Sequence, residues 1–440
     1  MTLRFGTDGV RGDAEADLTP PLVAALGRAA ARVFGTDRPF VLGRDTRESG
    51  PRLVADLTAG LRGEGADVID AGIVPTPVVA YLASQLDARA AMVSASHNPF
   101  SDNGIKLFER GGKKLADDAE AAVERELLAL ASEPRPANGA PGNALARDAL
   151  DRYLDHVVAT IDGRRADGAR VALDAANGAA SAIAPRAFAR LGADVHVIHA
   201  DPDGRNINAA CGSTHPDDLR REVVARGAAI GLAFDGDADR VIAVDELGGL
   251  VDGDRILAIT ALDLHARGAL RRDAVAITVM SNLGLRRALT DAGIAIVDTP
   301  VGDRAVLAAM EEHDLVLGGE QSGHIIFGDR ATTGDGVLTG VVLLDTMVRA
   351  GRPLSQLAAV VQPVPQRLEN VRVGTPVDVG HPTIAGAIAT VAAELGDRGR
   401  VLVRPSGTEP VVRIMVEAPT VAELDAAIAS LRRAVLDVAS

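Results

Sequence analysis

The chain repeats one order of segments three times, and this repeat restricts the possible folds more than any other feature. Each copy has a short apolar run, a small or polar turn, a helical stretch, a second apolar run, and a third run that ends in a polar motif. Short apolar runs alternating with Ala- and Leu-rich helical stretches predict three related α/β units. The runs begin, unit by unit, at Pro39, Ala66 and Ala90, at Val171, Ala193 and Ala229, and at Val275, Ile294 and Leu315.

Length and local composition predict how the chain divides into domains. A chain of 440 residues is too long for one ordinary core, since domains are roughly 100 to 150 residues each. A stretch rich in Pro, Asn and Gly at 132–142 predicts a linker, and a second break falls at Pro363 and Pro365. The remainder, with three short strands and two helical stretches, predicts a smaller α+β domain. The predicted domains are 1–150, 151–252, 253–363 and 364–440.

A polar motif follows the third run of every repeat. The motifs are residues 94–99 (Ser-Ala-Ser-His-Asn-Pro), 235–240 (Asp-Gly-Asp-Ala-Asp-Arg) and 319–324 (Gly-Glu-Gln-Ser-Gly-His). Ligands of open α/β sheets collect outside the carboxyl ends of the strands. Three separate polar turns are the alternative. We expect an α/β fold, with three related α/β domains of mixed sheets plus a smaller C-terminal α+β domain around a central cleft.

Charge and cysteine content exclude several classes of function. The 46 basic and 60 acidic side chains give a formal charge of −14, which disfavours nucleic acid and anionic membranes as partners. An anionic substrate then requires a locally basic pocket. Cys211 is the single cysteine, which excludes an internal disulfide and a thiolate-rich metal site and predicts an inert buried thiol. The lack of a secretory pattern and of a long apolar run predicts a cytoplasmic protein.

Hydroxyls and a lysine near the first motif predict nucleophilic chemistry. Ser94 and Ser96 stand on a polar turn after an apolar run, ten or so residues before Lys106. Only three of the 46 basic residues are lysine. A buried lysine, unlike arginine, can exchange a proton at working pH. The other two, Lys113 and Lys114, follow two glycines and predict a solvated hairpin tip.

The second motif predicts a magnesium site. Asp235, Asp237 and Asp239 alternate, so an extended loop would direct their carboxylates to one point, and three hard oxygen ligands suit Mg²⁺ rather than zinc. An EF-hand loop is excluded because its sixth position needs Gly and here holds Arg240. A solvated acidic turn remains the alternative.

Two further motifs predict binding of a phosphate and of a sugar. Residues 404–410 (Arg-Pro-Ser-Gly-Thr-Glu-Pro) offer a guanidinium, two hydroxyls and a glycine, with Arg413 nearby, although Ser-Gly-Thr also forms ordinary turns. Glu320 and Ser322, two apart on an extended segment, would present acceptors and a donor to hydroxyls or an amine. His324 has either a site or a structural role, and His97 orients its own turn. Arg11 could neutralise a phosphate on Ser96 or lie on a surface turn.

Taken together, these motifs make the sequence resemble the α-D-phosphohexomutase superfamily. The resemblance spans the chain in the family's order, at residues 5–12, 94–99, 103–106, 235–240, 319–324 and 404–410. The first, second and fifth of these motifs favour the branch that acts on glucosamine phosphates over the branches that act on glucose or mannose phosphates. The catalytic motifs show no departure, and only Val10 stands where the branch often has isoleucine.

The resemblance implies an isomerase that works by two phosphoryl transfers. Phosphoserine 96 would donate to glucosamine 6-phosphate, and the 1,6-bisphosphate would turn over in place and return the other phosphate. The product, glucosamine 1-phosphate, would serve UDP-N-acetylglucosamine and peptidoglycan synthesis. Only the family pattern selects Ser96 over Ser94.

The resemblance also implies a role for each candidate residue. One Mg²⁺ per active site would be held by Asp235, Asp237, Asp239 and an oxygen of phosphoserine 96. Lys106 would be the general acid/base, with Arg11, Arg240 and His324 as further catalytic groups. The substrate would be bound by Glu320, Ser322, Arg404, Ser406, Gly407, Thr408 and Arg413.

The implied partners are small sugar phosphates, including a sugar 1,6-bisphosphate as primer, with a kinase as a candidate source of the first phosphoryl group on Ser96. The assembly would be a monomer or a homodimer. Two other activities stay open: a phosphoglucomutase or phosphomannomutase, and more distantly a metal-dependent phosphatase with Ser96 as nucleophile. An inactive sugar-phosphate-binding regulator is disfavoured because Ser96 and the three aspartates are all present.

Overall fold

The computed structural model describes residues 9–130, 142–145, 148–374, 377–405 and 410–439. The described residues within Met1–Met280 and Gly293–Val360 form one compact unit, and those within Ser281–Ala292 and Val361–Ser440 form a second. Most of the predicted linker, the start of the motif at residues 5–12, and Ser406 to Thr408 lie outside the described residues.

Three mixed sheets in the first unit share one topology, which confirms the predicted repeat. In each, three parallel strands have the order second, first, third, and a fourth strand runs antiparallel beside the third. Sheet 1 has strands β1 (Val10–Asp13), β2 (Phe40–Arg44), β3 (Val68–Ile73), β4 (Arg89–Val93), β5 (Asp102–Phe108) and β6 (Asn143–Ala144). Sheet 2 has β7 (Arg170–Asp174), β8 (Asp194–Ile198), β9 (Ile230–Phe234), β10 (Val241–Asp245) and β11 (Leu250–Val251). Sheet 3 has β12 (Ala274–Thr278), β13 (Ala295–Thr299), β14 (Leu317–Gly319) and β15 (Ile325–Phe327).

The helices that follow in chain order connect the strands of these sheets or lie beside them, except α9 (Leu283–Asp291), which belongs to the second unit. In the first stretch of chain they are α1 (Pro20–Phe34), α2 (Gly50–Gly63), α3 (Thr76–Gln85), α4 (Asp117–Leu130) and α5 (Ala149–Ala159). Next come α6 (Ala180–Arg190), α7 (Asp217–Arg226), α8 (Gly253–Ala266), α9 (Leu283–Asp291), α10 (Asp303–Glu312), α11 (Gly336–Ala350) and α12 (Leu354–Ala358). The central strands β2, β4, β9 and β12 are almost wholly buried, as expected for parallel strands covered on both faces.

Local capping fixes the long buried helix α11. Asp335 precedes it, and its carboxylate accepts a hydrogen bond from the backbone N–H of Leu338. Gly351 ends the helix in a left-handed conformation with φ 59°, where a side chain would add strain. These caps satisfy backbone groups that an embedded helix end would otherwise leave without partners.

The second unit is the predicted α+β domain with one added segment. Its sheet has the order β16 (Gln366–Arg372), β18 (Val411–Glu417), β17 (Arg400–Pro405), all antiparallel, with helices α13 (Pro382–Leu395) and α14 (Val421–Ala439). Helix α9 also belongs to this unit, although some 70 residues of sequence separate the helix from Val361, where the rest of the unit begins. The side chain of Asn282 bonds both the N–H and the C=O of Val364, at 3.0 and 2.9 Å, which fixes the segment between Pro363 and Pro365.

Within the described residues, no helix is both long enough and apolar enough to span a bilayer.

Candidate active site

The three polar motifs occupy equivalent places in the three sheets. Each lies in the connection from the third parallel strand to the antiparallel strand beside it: after β4, after β9 and after β14. Side chains of the three connections contact one another within the first unit, as the following distances show. The structure therefore brings together motifs that are more than 200 residues apart in sequence.

Ser96 is buried in the first of these connections and its hydroxyl is directed at the second. Its backbone is left-handed, with φ 52°, and its N–H donates to Ser94 Oγ at 2.9 Å. Ser94 Oγ in turn donates to the buried carboxylate of Asp45 at 2.6 Å. Ser96 Oγ donates to Asp235 Oδ2 at 2.5 Å, whereas Ser94 is engaged in supporting the loop. A strained, over-determined backbone of this kind is common at functional sites.

Arg47 holds the serine loop in shape, and sequence reasoning missed it. Its fully buried guanidinium donates to Asp45 Oδ2 at 2.9 Å. It also donates to four loop carbonyls, those of Ser96, Asn98, Pro99 and Asp102. Because Asp45 and Arg47 directly follow β2, the rule that site residues follow strand ends could have found them.

Asp235, Asp237 and Asp239 converge as predicted, but through a tight turn and not an extended loop. Ala238 N donates to Asp235 O at 3.1 Å, and Ala238 has φ 55°. The three buried carboxylates offer oxygens within 4.8 Å of one another. Close approach to the serine loop imposes the turn: a Cβ on Gly236 would lie 2.5 Å from Ser96 O.

Two buried carboxylate oxygens at this point accept no hydrogen bond from any residue that the structure describes. They are Oδ1 of Asp237 and Oδ1 of Asp239. Buried acceptors without a donor are unfavourable, and a cation offsets that penalty. Three carboxylates and the Ser96 oxygen are hard ligands of the kind that Mg²⁺ prefers, so the residues present fit this ion.

Lys106 lies against two of the three aspartates. It sits on β5 with its side chain only 3% exposed. Its Nζ donates to Asp237 Oδ2 at 2.9 Å and to Asp239 Oδ2 at 3.1 Å. Thr76 Oγ1 also donates to Asp237 Oδ2, at 2.6 Å, and is a second contact that sequence reasoning missed. The amine predicted from the sequence therefore lies against the aspartate cluster, which also accepts the hydrogen bond from Ser96.

Burial and crowding shift the pKa values of the carboxyl groups in opposite directions. Burial, and then repulsion by Asp239 and Asp237, raises the pKa of Asp235 well above its usual range. Burial alone would raise the pKa of Asp239 too, but the charges of Lys106 and His324 outweigh burial and hold the pKa of that carboxyl well below its usual range. The pKa of His97 is lowered by burial and by the nearby charges of Arg240 and Arg11.

Arg11, Arg240 and His97 lie on the basic side of the serine loop. Arg240 Nη1 is 3.2 Å from His97 Nδ1, which is 3.3 Å from Ser96 Oγ. Arg11 is on β1, opposite Gly104 of β5, and not on a surface turn. A Cβ on Gly104 would meet Arg11 Cγ at 2.9 Å and Ser94 O at 2.8 Å, so Arg11 passes directly beside this loop.

The third motif is a tight turn, which corrects the expectation of an extended segment. Gly323 N donates to Glu320 O at 3.0 Å. Gly323 has φ 90°, and a Cβ there would lie 2.1 Å from Val241 O, so the turn requires glycine at this position. Glu320 Oε1 accepts from Gly302 N at 3.1 Å, and Ser322, two residues further on, is exposed. His324 is buried, accepts at Nε2 from Gly334 N at 3.1 Å, and places Nδ1 3.6 Å from Asp239 Oδ1.

One surface expectation was wrong. Lys113 is exposed at a hairpin tip and pairs with Glu311 at 2.7 Å. Lys114 is only 7% exposed and forms an ion pair with Asp303, at the start of α10. The hairpin of sheet 1 therefore packs on a helix of sheet 3, which the local sequence did not indicate.

In the second unit, Arg404 and Arg413 are directly opposite each other on β17 and β18. Cross-strand partners in an antiparallel pair share one face, and like charges there repel unless an anion lies between them. Both side chains are partly exposed. Ser406, Gly407 and Thr408, which complete the predicted phosphate loop, lie outside the described residues.

The sequence matches known proteins over nearly its whole length. The four domains of the phosphoglucomutase/phosphomannomutase family match in order: α/β/α domain I at residues 2–133, domain II at 151–248, domain III at 252–364 and the C-terminal domain at 363–434. A phosphoglucosamine mutase of Moorella thermoacetica is 53% identical over 436 residues, with 98% of each chain covered. One of Salinispora tropica is 51% identical, with 94% of each covered.

Solved structures show the same fold. A phosphoglucomutase/phosphomannomutase family protein of Burkholderia thailandensis has a TM-score of 0.82 at 27% identity, covering 100% of this chain and 98% of that one. An Aspergillus fumigatus N-acetylphosphoglucosamine mutase, solved with GlcNAc-6P and magnesium, has a TM-score of 0.72 at 19% identity, covering 100% and 96%. With the site geometry and two relatives above 50% identity, the chain belongs to the phosphoglucosamine mutases of the phosphoglucomutase/phosphomannomutase family.

Proposed function

We propose that this chain interconverts glucosamine 6-phosphate and glucosamine 1-phosphate through phosphoserine 96 and a 1,6-bisphosphate intermediate. The observation that carries the proposal is the contact of Ser96 Oγ with Asp235, 2.5 Å apart, within a cluster of three buried aspartates. A hydroxyl so placed can carry a phosphoryl group next to a cation site. Membership of the phosphoglucosamine mutases supports the amino sugar as substrate.

The first transfer moves the phosphoryl group from Ser96 to the sugar. A substrate hydroxyl oxygen forms a bond to phosphorus while the bond from phosphorus to Ser96 Oγ breaks, and the bonding electron pair returns to Oγ. The hydroxyl proton passes to the neutral amine of Lys106, and the ammonium so formed is stabilised by Asp237 and Asp239 at 2.9 and 3.1 Å. Ser96 Oγ keeps its negative charge until it attacks in the second transfer, in which Lys106 returns the proton to the sugar oxygen that leaves. The second transfer is the reverse reaction with the sugar turned, which leaves the serine phosphorylated again.

Electrostatic stabilisation is the main work of a phosphoryl-transfer site. Bound Mg²⁺, held by Asp235, Asp237, Asp239 and an oxygen on Ser96, would offset negative charge on the transferred group. Arg240 and Arg11 add positive charge beside the serine loop, where Arg240 lies 3.2 Å from His97. His324 supports the cluster through Asp239.

Substrate binding is proposed for two sets of side chains. Glu320 and Ser322 would accept hydrogen bonds from, and donate them to, the sugar. Arg404 and Arg413 would bind a substrate phosphate, because their cross-strand pairing creates a site of concentrated positive charge. Ser406, Gly407 and Thr408 are proposed from sequence alone as further phosphate ligands.

A phosphoglucomutase or phosphomannomutase activity is the second candidate, because the carboxylate of Glu320 would accept from a hydroxyl as well as from an amine. The deciding experiment measures initial rates with glucosamine, glucose and mannose 6-phosphates, with Mg²⁺ and a trace of sugar 1,6-bisphosphate. Both 1-phosphate and free phosphate are followed. Preference for the amino sugar without phosphate release is expected. Preference for glucose or mannose would overturn the substrate, and net phosphate release would overturn the mutase mechanism.

A further inference from the structure

A second group of potential metal ligands lies in sheet 2, apart from the three aspartates. Asp174 is the last residue of β7, His199 follows β8 directly, and Cys211 lies in the loop that comes after it. One carboxylate oxygen, one imidazole nitrogen and the thiol sulfur of these residues all lie within 4.8 Å of one another. Asp174 and Cys211 are completely buried. The carboxyl ends of parallel strands thus bring three different donor types to one point.

The orientation of His199 favours a cation at this point. Its Nε2 is 3.3 Å from Asp218 Oδ2, so a neutral imidazole that donates its proton there presents a lone pair at Nδ1. Nδ1 is buried 3.0 Å from Asp174 Oδ2, and the pair does not meet hydrogen-bond geometry. In that tautomer two acceptors face each other, and a cation between them would offset the repulsion.

We propose that Asp174, His199 and Cys211 bind one divalent transition-metal ion, with Zn²⁺ the best match. A set of one sulfur, one nitrogen and one oxygen is typical of zinc and unlike the all-oxygen set that Mg²⁺ prefers. Asp218 against the far nitrogen of the imidazole corresponds to the carboxylate that commonly orients a metal-bound histidine. The His199 side chain is 27% exposed, which gives the ion access from solvent.

The carboxylate of Asp174 is already fixed in position by the backbone. Its Oδ1 accepts from Ala176 N at 2.9 Å, and its Oδ2 accepts from Gly212 N at 3.0 Å. Gly212 is the neighbour of Cys211, so the same hydrogen bond places the thiol beside the carboxylate. Binding of the ion would release the thiol proton, because the thiolate is the ligand form.

The ion would have a structural role that reaches the serine loop. Asn208, three residues before Cys211, donates to Ser96 O at 2.9 Å and to Asn98 O at 3.1 Å. Its own N–H donates to Ala176 O at 3.0 Å, near Asp174. An ion that ties Cys211 to the ends of β7 and β8 would therefore fix the segment that carries Asn208. These ligands are positioning residues and do not touch the reacting atoms.

The test uses Co²⁺ as a coloured substitute for Zn²⁺. The full-length protein, stripped with a chelator, is titrated with Co²⁺ in excess Mg²⁺, which keeps the aspartate cluster supplied. We expect a near-ultraviolet sulfur-to-cobalt charge-transfer band that saturates at one equivalent and is displaced by Zn²⁺. Zn²⁺ should also slow amide hydrogen exchange in residues 206–212. Absence of the band would overturn the proposal and favour a doubly protonated His199 bridging the two aspartates.

Variants separate this site from the aspartate cluster. Cys211→Ser should abolish the band. His199→Gln, a change at a partly exposed ring, should weaken Co²⁺ binding at least tenfold. This second variant tests the proposal even if the buried Cys211→Ser variant does not fold. His215→Gln, an exposed histidine four residues from Cys211, is the matched control and should bind like the native protein. Binding that persists unchanged in folded Cys211→Ser or in His199→Gln would overturn the assignment.

Discussion

Ser96 and Asp235 are 139 residues apart in sequence, yet Ser96 Oγ donates a 2.5 Å hydrogen bond to Asp235 Oδ2. The contact joins the connection after β4 to the connection after β9. It is possible because Gly236 lets the two loops approach, with room for no side chain between them. A phosphoryl group on this hydroxyl would lie directly at the aspartate cluster.

Removal of the Ser96 hydroxyl should nearly abolish turnover. Ser96→Ala leaves no oxygen to carry the phosphoryl group, so we expect activity to fall to the limit of detection and the phosphorylated form to vanish from the intact-mass spectrum. Ser94→Ala is the matched comparison, because Ser94 only supports the loop through Asp45. It should retain one phosphate per chain. A phosphate that survives in Ser96→Ala but not in Ser94→Ala would transfer the nucleophile role to Ser94.

Lys106→Arg should lower kcat despite keeping the positive charge. A guanidinium does not release its proton at working pH, and loss of a general acid/base typically lowers rates on the order of 10² to 10⁴-fold. Steady-state kinetics with glucosamine 6-phosphate provide the measurement. Lys113→Arg, at an exposed hairpin tip with its side chain 56% exposed, should be unchanged. Equal kcat in the two variants would remove the proton-transfer role of Lys106.

Arg47→Met should destabilise the protein and disorder the serine loop. The change leaves the buried Asp45 carboxylate without its guanidinium and removes the hydrogen bonds that Arg47 donates to four loop carbonyls. Breaking a buried pair typically costs about 3 to 5 kcal/mol. We expect a clearly lower thermal midpoint and weaker phosphorylation of Ser96. Arg165→Met, a change at a side chain 57% exposed, should leave both unchanged. A native midpoint in Arg47→Met would contradict the role of this contact.

Arg413→Met should raise KM more than it lowers kcat, because a phosphate held through the whole reaction is bound equally in ground and transition states. Kinetics over a range of sugar-phosphate concentrations separate the two constants. Arg432→Met, on the same unit with its side chain 58% exposed, serves as the control. An unchanged KM in Arg413→Met would remove Arg413 from the phosphate site.

Asp335 should make the protein less stable as pH rises from about 4 to about 6. Burial raises the pKa of this carboxyl to about 6, so the folded state holds its proton more tightly than the unfolded state does. Protons bound by the native state alone stabilise it at low pH, and that contribution is lost as the pH passes the folded pKa. Two pKa units correspond to about 3 kcal/mol.

The measurement compares thermal midpoints of the native protein and Asp335→Asn across this pH range. Asparagine can still cap α11 and bond Tyr153, whose hydroxyl lies 2.9 Å from Asp335, but it does not titrate. The difference between the two midpoints should therefore move in favour of the variant as pH rises. A difference that stays constant would show that Asp335 does not titrate in this range.

The sequence by itself determined the repeated strands, their helices and the strand ends at which the polar motifs lie. These features follow from apolar runs and turn residues that are local in the chain, which is why the predictions starting at Pro39, Val171 and Val275 fall on β2, β7 and β12. The choice of Ser96 over Ser94 needed the family pattern, and the hydrogen bonds now give a physical reason for it.

Only the tertiary structure decided which side chains meet. The close approaches at Gly236 and Gly323, the burial of Lys114 against Asp303, and the proposed ligand group of Asp174, His199 and Cys211 all depend on partners far away in sequence. Helix α9 likewise belongs to a unit whose other residues begin at Val361. Local patterns fix elements because neighbouring residues determine backbone preference, whereas a buried polar contact exists only where packing places two remote groups within hydrogen-bond distance.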